Sequence, residues 1–246
     1  MIKNLILLIV SGSLSFSVNA ETPMEKQEVY KLSYIEREPG TEEYEVTMLV
    51  SDRYIRVDDE EGGSSGYIIY DDKYKTISSV SHYDKSVLVI KETPFSDEDV
   101  PVKPVIEFLQ LSDAPTVSGE KVYNYRVFVK QGKTDEETCS EIQLIENILP
   151  DVRSILQNYQ RVVSGQQVKM VDNKISDRQT ACFYVDQIYN SGRYYAKGLP
   201  LQEWHSNERS RILTGYEKVS VDSAKFKIPE KYRKFSIGDK PKILLE

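Results

Sequence analysis

Between Tyr44 and Lys91 apolar and polar residues alternate in short runs, EYEVTMLV, RYIRVDD, GYIIYD, KTISSVSH and KSVLVIK, each bounded by turn residues. Tyr44, Val46, Met48 and Val50 alternate with Glu45, Thr47 and Leu49. Tyr54, Arg56 and Asp58 oppose Ile55 and Val57 in the same way. A period of two places one apolar face on a sheet. Runs this short and this rich in Tyr, Ile and Val predict a strongly curved antiparallel sheet, whose concave face something must fill. Glu28 to Glu38 begins that sheet, with Tyr30, Leu32 and Tyr34 on one face and Pro39-Gly40 as a turn. Lys121 to Lys130 (KVYNYRVFVK) returns to strand alternation. Arg193 to His205 and Ser210 to Val221 predict a hairpin around Asn207. Asp222 to Tyr232 closes the chain, and the tail beyond it is expected to be loosely held.

The period changes in the middle of the chain. Thr93 to Pro104 is acidic and Pro-containing, which marks a surface connection or flap. Val105 to Leu111 (VIEFLQL) has the length of one or two helical turns. Ile142, Ile145, Ile148, Leu149, Val152, Ile155, Leu156, Tyr159, Val162 and Val163 then fall at spacings of three and four, one apolar helical stripe. Pro150 interrupts it, and a mid-helix Pro costs about 3 kcal/mol unless a new helix begins there. Ser176-Asp177-Arg178-Gln179 has the form of a capping box for a second helix, with Ala181, Val185, Ile188 and Tyr189 facing inward. A straight helix from Ser140 to Val163 would run about 35 Å. A bend at Pro150 would fold its halves together and bring Cys139 within the roughly 6 Å of Cys182 that a disulfide needs. The expectation is a helical cap over about residues 137–190, stapled to itself.

Composition places the chain. Residues 1–20 have a basic start at Lys3, an apolar LILLIV and a Val18-Asn19-Ala20 cleavage site, the pattern of a secretory signal peptide. The apolar run is far shorter than the roughly 20 residues that span a bilayer. Cleavage after Ala20 would leave 226 of the 246 residues as a single domain, 21–246, and with Lys3 gone would shift the formal charge from −7 to −8. That acidic balance argues against nucleic acid and against an electrostatic grip on anionic lipid. Cys139 and Cys182 are the two cysteines, and in an oxidising compartment an even count favours a disulfide, worth about 4 kcal/mol on the chain-entropy model. The compartment expected is the periplasm, with secretion as the alternative.

Candidate chemistry is sparse. His82 and His205 are the two histidines, and no HxH, HExxH or CxxC occurs, so no metal and no cofactor is expected. Ser81 and Ser206 each neighbour a His, but adjacent strand residues point to opposite faces. Asp58-Asp59 and Asp71-Asp72 sit at strand ends as solvated turn residues. The Gly-rich Glu60 to Gly66 lacks a Lys, leads into a strand and reads as a hairpin loop. Nothing here amounts to a catalytic site, and the expectation is not an enzyme. Seventeen Tyr against seven Phe carries more information, because each buried hydroxyl needs a partner. Those rings are either the wet rim of a half-buried sheet or the amphipathic lining of a cavity for an acyl chain or apolar peptide.

The series SDRYIRVDD, GYIIYD and KSVLVIK, the step Gly198-Leu199-Pro200-Leu201, and Phe226-Lys227-Ile228-Pro229 followed by Tyr232 form three features. Together they resemble the LolA-like superfamily of periplasmic lipoprotein carriers and related exported proteins. The resemblance implies an incomplete β-barrel with helices over an apolar cavity, and Arg56 as a candidate cargo-binding arginine. The combined expectation is an α+β fold, a curved antiparallel sheet under a helical cap. Its hollow would be lined by Tyr34, Val46, Met48, Tyr54 and Arg56, with Ile69, Leu88, Tyr125 and Trp204 completing it. The function expected is a soluble carrier or binding protein for a lipid or acyl chain, a lipoprotein being one candidate cargo, with transient contacts to envelope proteins. The alternative is an envelope protein-interaction or regulatory module with no small ligand.

Overall fold

The computed structural model describes residues 25–59, 62–132, 135–170 and 180–237. Within them twelve strands form one sheet in the order β12-β6-β5-β4-β3-β2-β1-β11-β10-β9-β8-β7. They are β1 Lys26–Arg37, β2 Tyr44–Val50, β3 Tyr54–Asp58, β4 Gly66–Asp71, β5 Thr76–Ser81 and β6 Ser86–Lys91. On the other side of the chain come β7 Val105–Gln110, β8 Val122–Gln131, β9 Asp135–Ile145, β10 Leu199–His205, β11 Ser210–Asp222 and β12 Arg233–Ser236. The chain thus meanders outward from β1 to β6, crosses to the far edge at β7, and meanders back until β11 zips onto β1. Every ladder is antiparallel except β12 on β6.

The main helix, α1 (Pro150–Met170), lies on one face of this sheet. Val152, Ile155, Leu156 and Val162 from α1 join Val50, Ile55, Tyr70 and Ile77 from one arm and Tyr125, Ile142 and Leu144 from the other in one buried cluster. Laid flat, twelve strands about 4.8 Å apart would span about 50 Å. Both arms reach a single helix about 10 Å wide, so the sheet bends around it. The opposite face carries a second core, where Phe226 joins Leu49, Tyr67, Ile69, Val80 and Val87. Period-two alternation sends Leu49, Tyr67 and Ile69 to this face and Met48, Ile68 and Tyr70 to the other.

The α+β expectation is overturned. The chain is largely β: the sheet stays open, with β7 and β12 as its edges, so it is not a barrel even in part, and α1 is the one long helix among the described residues. The start of the expected cap is sheet, because residues 137–145 belong to β9, hydrogen-bonded to β8 on one side and β10 on the other. Ile142 and Leu144 also alternate with Glu141 and Gln143, and two strand partners satisfy that backbone better than a lone helical turn could. Pro150 is no kink; it is the first residue of α1, where its missing N–H costs nothing. Val105–Gln110, read as helical turns, is the edge strand β7. Thr93 to Pro104 is docked, with Val100 buried against Tyr184 and Ile188. The tail is held as far as Ser236, since β12 pairs with β6.

Cys139 and Cys182 form the expected disulfide, with Cα atoms 4.8 Å apart, but by a different route. The β8–β9 register shifts as Val127 faces Ser140 and Phe128 faces Thr138, leaving Cys139 in a β-bulge. A bulge re-aims its side chain, and Cys139 meets the short helix α2 (Ala181–Tyr184). Thr180 caps α2 by accepting from the Phe183 amide. The signal peptide and the Ser176 capping box lie outside the described residues. No described helix is long and apolar enough to cross a membrane.

Gly165 of α1 shows how tightly the crossover segment is laid on the helix. A Cβ there would lie 2.2 Å from the carbonyl oxygen of Thr93. Helix propensity alone would make Gly165→Ala stabilising by up to about 1 kcal/mol. The clash reverses the sign, because overpacking against backbone costs about 1–3 kcal/mol. Thermal unfolding of Gly165→Ala should show a Tm several degrees below the parent. An equal or higher Tm would mean that the segment does not press on α1.

Candidate functional site

A cleft of about 460 Å³ remains between α1 and the sheet arm β2–β5. Its floor is Val46 and Met48 of β2, Val57 of β3 and Ile68 of β4, all on the face that α1 covers. Tyr159 of α1 overhangs it, and Tyr44, Glu36 and Arg211 line it as well. Ser65, Ser79, Ser81, Asp58 and Asp59 complete the polar part of the lining.

The polar end is set by a β-bulge. In the β1–β11 ladder Ser33 faces Gly215 but Tyr34 faces Leu213, so Thr214 is the extra residue. That one-residue shift flips the faces of everything beyond it. Arg211 therefore comes opposite Glu36 and on its face, where an unbulged ladder would have turned it away. The Arg211 guanidinium donates from Nε to Glu36 Oε1 at 2.7 Å, and its Nη2 lies 2.7 Å from the same oxygen. Its Nη1 lies 3.9 Å from Glu203 Oε1.

Behind this pair lies a buried charge network. Tyr194 donates to Glu203 Oε2 at 2.8 Å. His205 sits with Nδ1 3.4 Å from Asp186 Oδ2 and Nε2 3.9 Å from Glu203 Oε2, and their side chains are at most 5% exposed. Arg209 approaches His205 Nε2 at 3.1 Å. In the neutral ring that contact needs the proton on Nδ1, toward Asp186; a second proton on Nε2 would turn that edge toward Glu203 instead. Glu36, Glu203 and Arg211 also line a hole of about 30 Å³, enough for a water molecule. Glu203 Oε1, Asp186 Oδ1 and the Tyr34 hydroxyl are buried without a hydrogen bond.

Burial alone would raise the Glu203 carboxyl, but His205, Arg211 and the Tyr194 hydroxyl outweigh it and hold its pKa down at about 2. Burial likewise disfavours a charged His205, yet Asp186 and Glu203 overcome it and raise its pKa above 6.5. Tyr194 and Tyr195 are pushed well above 10, first by burial and then by Glu203, so both stay neutral donors. No described group of His, Cys, Asp and Glu is placed to hold a metal.

The residues expected to line the hollow are divided between the two faces. Val46 and Met48 line the cleft. Tyr34 and Tyr125 are buried on the same face, Tyr34 under the Arg211 guanidinium and Tyr125 hydrogen-bonded to Asn190 at 3.1 Å. Leu88 is half-buried on β6. Tyr54, Arg56 and Ile69 lie on the opposite face, under the C-terminal segment. There Arg56 pairs with Asp58 at 2.8 Å, donates to the Lys225 carbonyl at 2.7 Å and covers the Tyr67 ring, which ties that segment down rather than facing a cargo. Trp204 is 40% exposed, turned away from its neighbours Glu203 and His205 by strand alternation. Sequence reasoning missed Glu36, Asp186, Glu203 and Arg211; the signal was Glu203 and His205 two apart on a strand whose Leu199 is buried.

No family model matches the chain, and no curated protein matches it. An uncharacterized conserved protein from Thermus thermophilus is structurally similar over 85% of this chain and 90% of its own, at 8% identity and a TM-score of 0.40. PNGF-II in a C2 crystal form is similar over 85% of this chain at 10% identity and a TM-score of 0.39, and in a P21 form at 9% and 0.37. The chain spans about a third of PNGF-II, 31% and 32% of that protein in the two forms. Likenesses this distant assign neither a fold family nor an activity.

The network makes stability depend on pH in two opposed ways. Glu203 has a lowered folded pKa, so its contribution is present above its unfolded value near 4.5 and is lost as pH falls toward about 2. By linkage that limb is worth on the order of 3 kcal/mol. His205 has a raised folded pKa, so its contribution is full below 6.5 and fades as pH climbs through the folded value. Thermal melts should therefore peak in mildly acidic buffer. Glu203→Gln should flatten the acid limb and His205→Gln the alkaline one, and a profile unchanged by both would contradict this wiring.

Proposed function

We propose that this chain is a binding or carrier protein that holds an apolar ligand in the cleft between α1 and β2–β5. The observation that supports it is a concave space of about 460 Å³ with an apolar floor and a few convergent polar groups at one end. Ligand sites for small molecules commonly measure about 300–1,000 Å³ and have this division of lining. The space suits one slender ligand such as a single acyl chain, and burying it would contribute about 25 cal/mol per Å².

The disulfide Cys139–Cys182 belongs to an oxidising environment, as in proteins outside the cytoplasm. The finer assignment to the periplasm is part of the proposal, and the basic-apolar-small pattern of residues 1–20 supports it. A second reading, a protein-interaction module, draws on β7. That edge strand leaves Ile106 and Leu109 exposed, and open edges invite strand addition.

Native mass spectrometry of protein purified from the periplasm should show a co-purified lipid mass. Ile68→Trp should fill the cleft floor and weaken an apolar fluorescent probe at least tenfold, with a melt like the parent's. Clean apo protein in every preparation, or probe affinity unmoved by Ile68→Trp, would rule out the cleft as the binding site. A stoichiometric protein partner lost on Leu109→Lys would favour the edge strand instead.

A further inference from the structure

The polar end of the cleft is already saturated with negative charge. Arg211 is the one cationic side chain among the described residues that line it, against the carboxylates Glu36, Asp58 and Asp59. Arg211 is spoken for twice, by Glu36 at 2.7 Å and by Glu203 at 3.9 Å. Asp58 is matched by Arg56, which shares its face of β3, and Asp59 accepts from the Ser65 hydroxyl and the Gly63 amide. An anionic head entering here would be the third carboxylate around one guanidinium. It could win Arg211 only by displacing Glu36 and leaving that carboxylate in the cleft wall without its cation, which is the costly half of breaking a buried pair.

Hydrogen-bond geometry points the same way. Both short guanidinium contacts go to Glu36 Oε1, so the other carboxylate oxygen takes no part in them. The remaining polar lining consists largely of hydroxyls, Tyr44 and Tyr159 among them. The Tyr44 hydroxyl senses the balance: after burial, Glu36 and Glu38 raise its pKa against the opposing pull of Arg211 and Arg209.

Resting on the carrier reading above, we infer that the ligand is an amphiphile whose head group is not anionic, an ammonium or hydroxyl that donates a hydrogen bond to Glu36 while its chain lies over Val46, Met48, Val57 and Ile68. The site selects against free fatty-acid anions and takes cationic or neutral single-chain amphiphiles. Positive heads gain from the net negative charge of this lining, and neutral ones lose nothing to it.

Calorimetric titration of the full chain at pH 7 with decylamine, decanol and decanoate, each below its micelle concentration, tests this. The amine and the alcohol should bind at least tenfold tighter than decanoate. Decanoate binding as tightly as either would overturn the head-group inference and leave the carrier reading standing. Binding by none of the three would overturn the carrier reading and the head-group inference with it. Glu36→Gln, checked for a cooperative melt, should bring the amine-to-decanoate ratio down toward one. A ratio unchanged in a folded Glu36→Gln protein would remove Glu36 from the assignment, and if that variant does not fold the comparison of the three ligands on the parent chain decides alone.

Discussion

The ladder between β1 and β11 holds the molecule together. It joins residues as distant in sequence as Lys26 and Asp222, and runs without interruption of pairing to Arg37 and Ser210 except at one bulge. On one side of it lies the β1–β6 meander, on the other β7–β11, and each is built largely from local hairpins. Neither meander alone encloses α1, whose apolar stripe needs Ile55 and Tyr70 from one and Ile142 and Leu144 from the other. Such a long-range pairing carries a large loop-closure cost that is recovered only when the helix is in place. The cleft is the part of that enclosure α1 leaves unfilled.

Bulges then decide what faces where. The extra Thr214 in β11 turns Arg211 to the Glu36 side, and the Thr214 hydroxyl donates to the Ser33 carbonyl at 3.0 Å, anchoring the irregularity. A second bulge, between Pro200 and Gln202 against β9, sets the register that brings Glu203 opposite Ile142 on the core side. The third leaves Cys139 free to reach Cys182. Each shifts a strand by one residue, and in a period-two structure one residue is the difference between solvent and core. The polar network and the disulfide both exist because these three strands are irregular.

That also explains what can be read from the sequence. The strands β2 to β6 are plain in EYEVTMLV, RYIRVDD, GYIIYD, KTISSVSH and KSVLVIK, because alternation and flanking turns are local. The cysteine pairing is recoverable from count and compartment, although the helical bend invoked for it at Pro150 is not the cause. Ile142 and Ile145 fit a helical spacing while Ile142 and Leu144 fit a strand's, and only the partners β8 and β10 settle the choice. The charge network is invisible for a related reason. Glu203, His205, Arg209 and Arg211 look like the wet side of a hairpin, and their burial comes from Asp186, Tyr194 and Glu36, which the topology supplies from elsewhere. Arg56 misleads in the opposite direction: a buried arginine on a curved sheet suggests cargo, but its face is the one the C-terminal segment covers.

Several of the tyrosines serve as buried donors, in this network and outside it. A phenylalanine in place of Tyr194 would fill the space but leave Glu203 Oε2 without its 2.8 Å donor, and a buried carboxylate short of donors is expensive. Tyr125 does the same for Asn190, and Tyr70 for Asp72. Phenols pushed up in pKa by burial remain protonated, so they act as fixed donors, Tyr194 and Tyr70 to carboxylates and Tyr125 to an amide oxygen. Replacing such a network with apolar residues often leaves a protein as stable or more so. Under the proposed carrier reading, the part of it beside the cleft would act on an incoming head group rather than add to the stability of the fold.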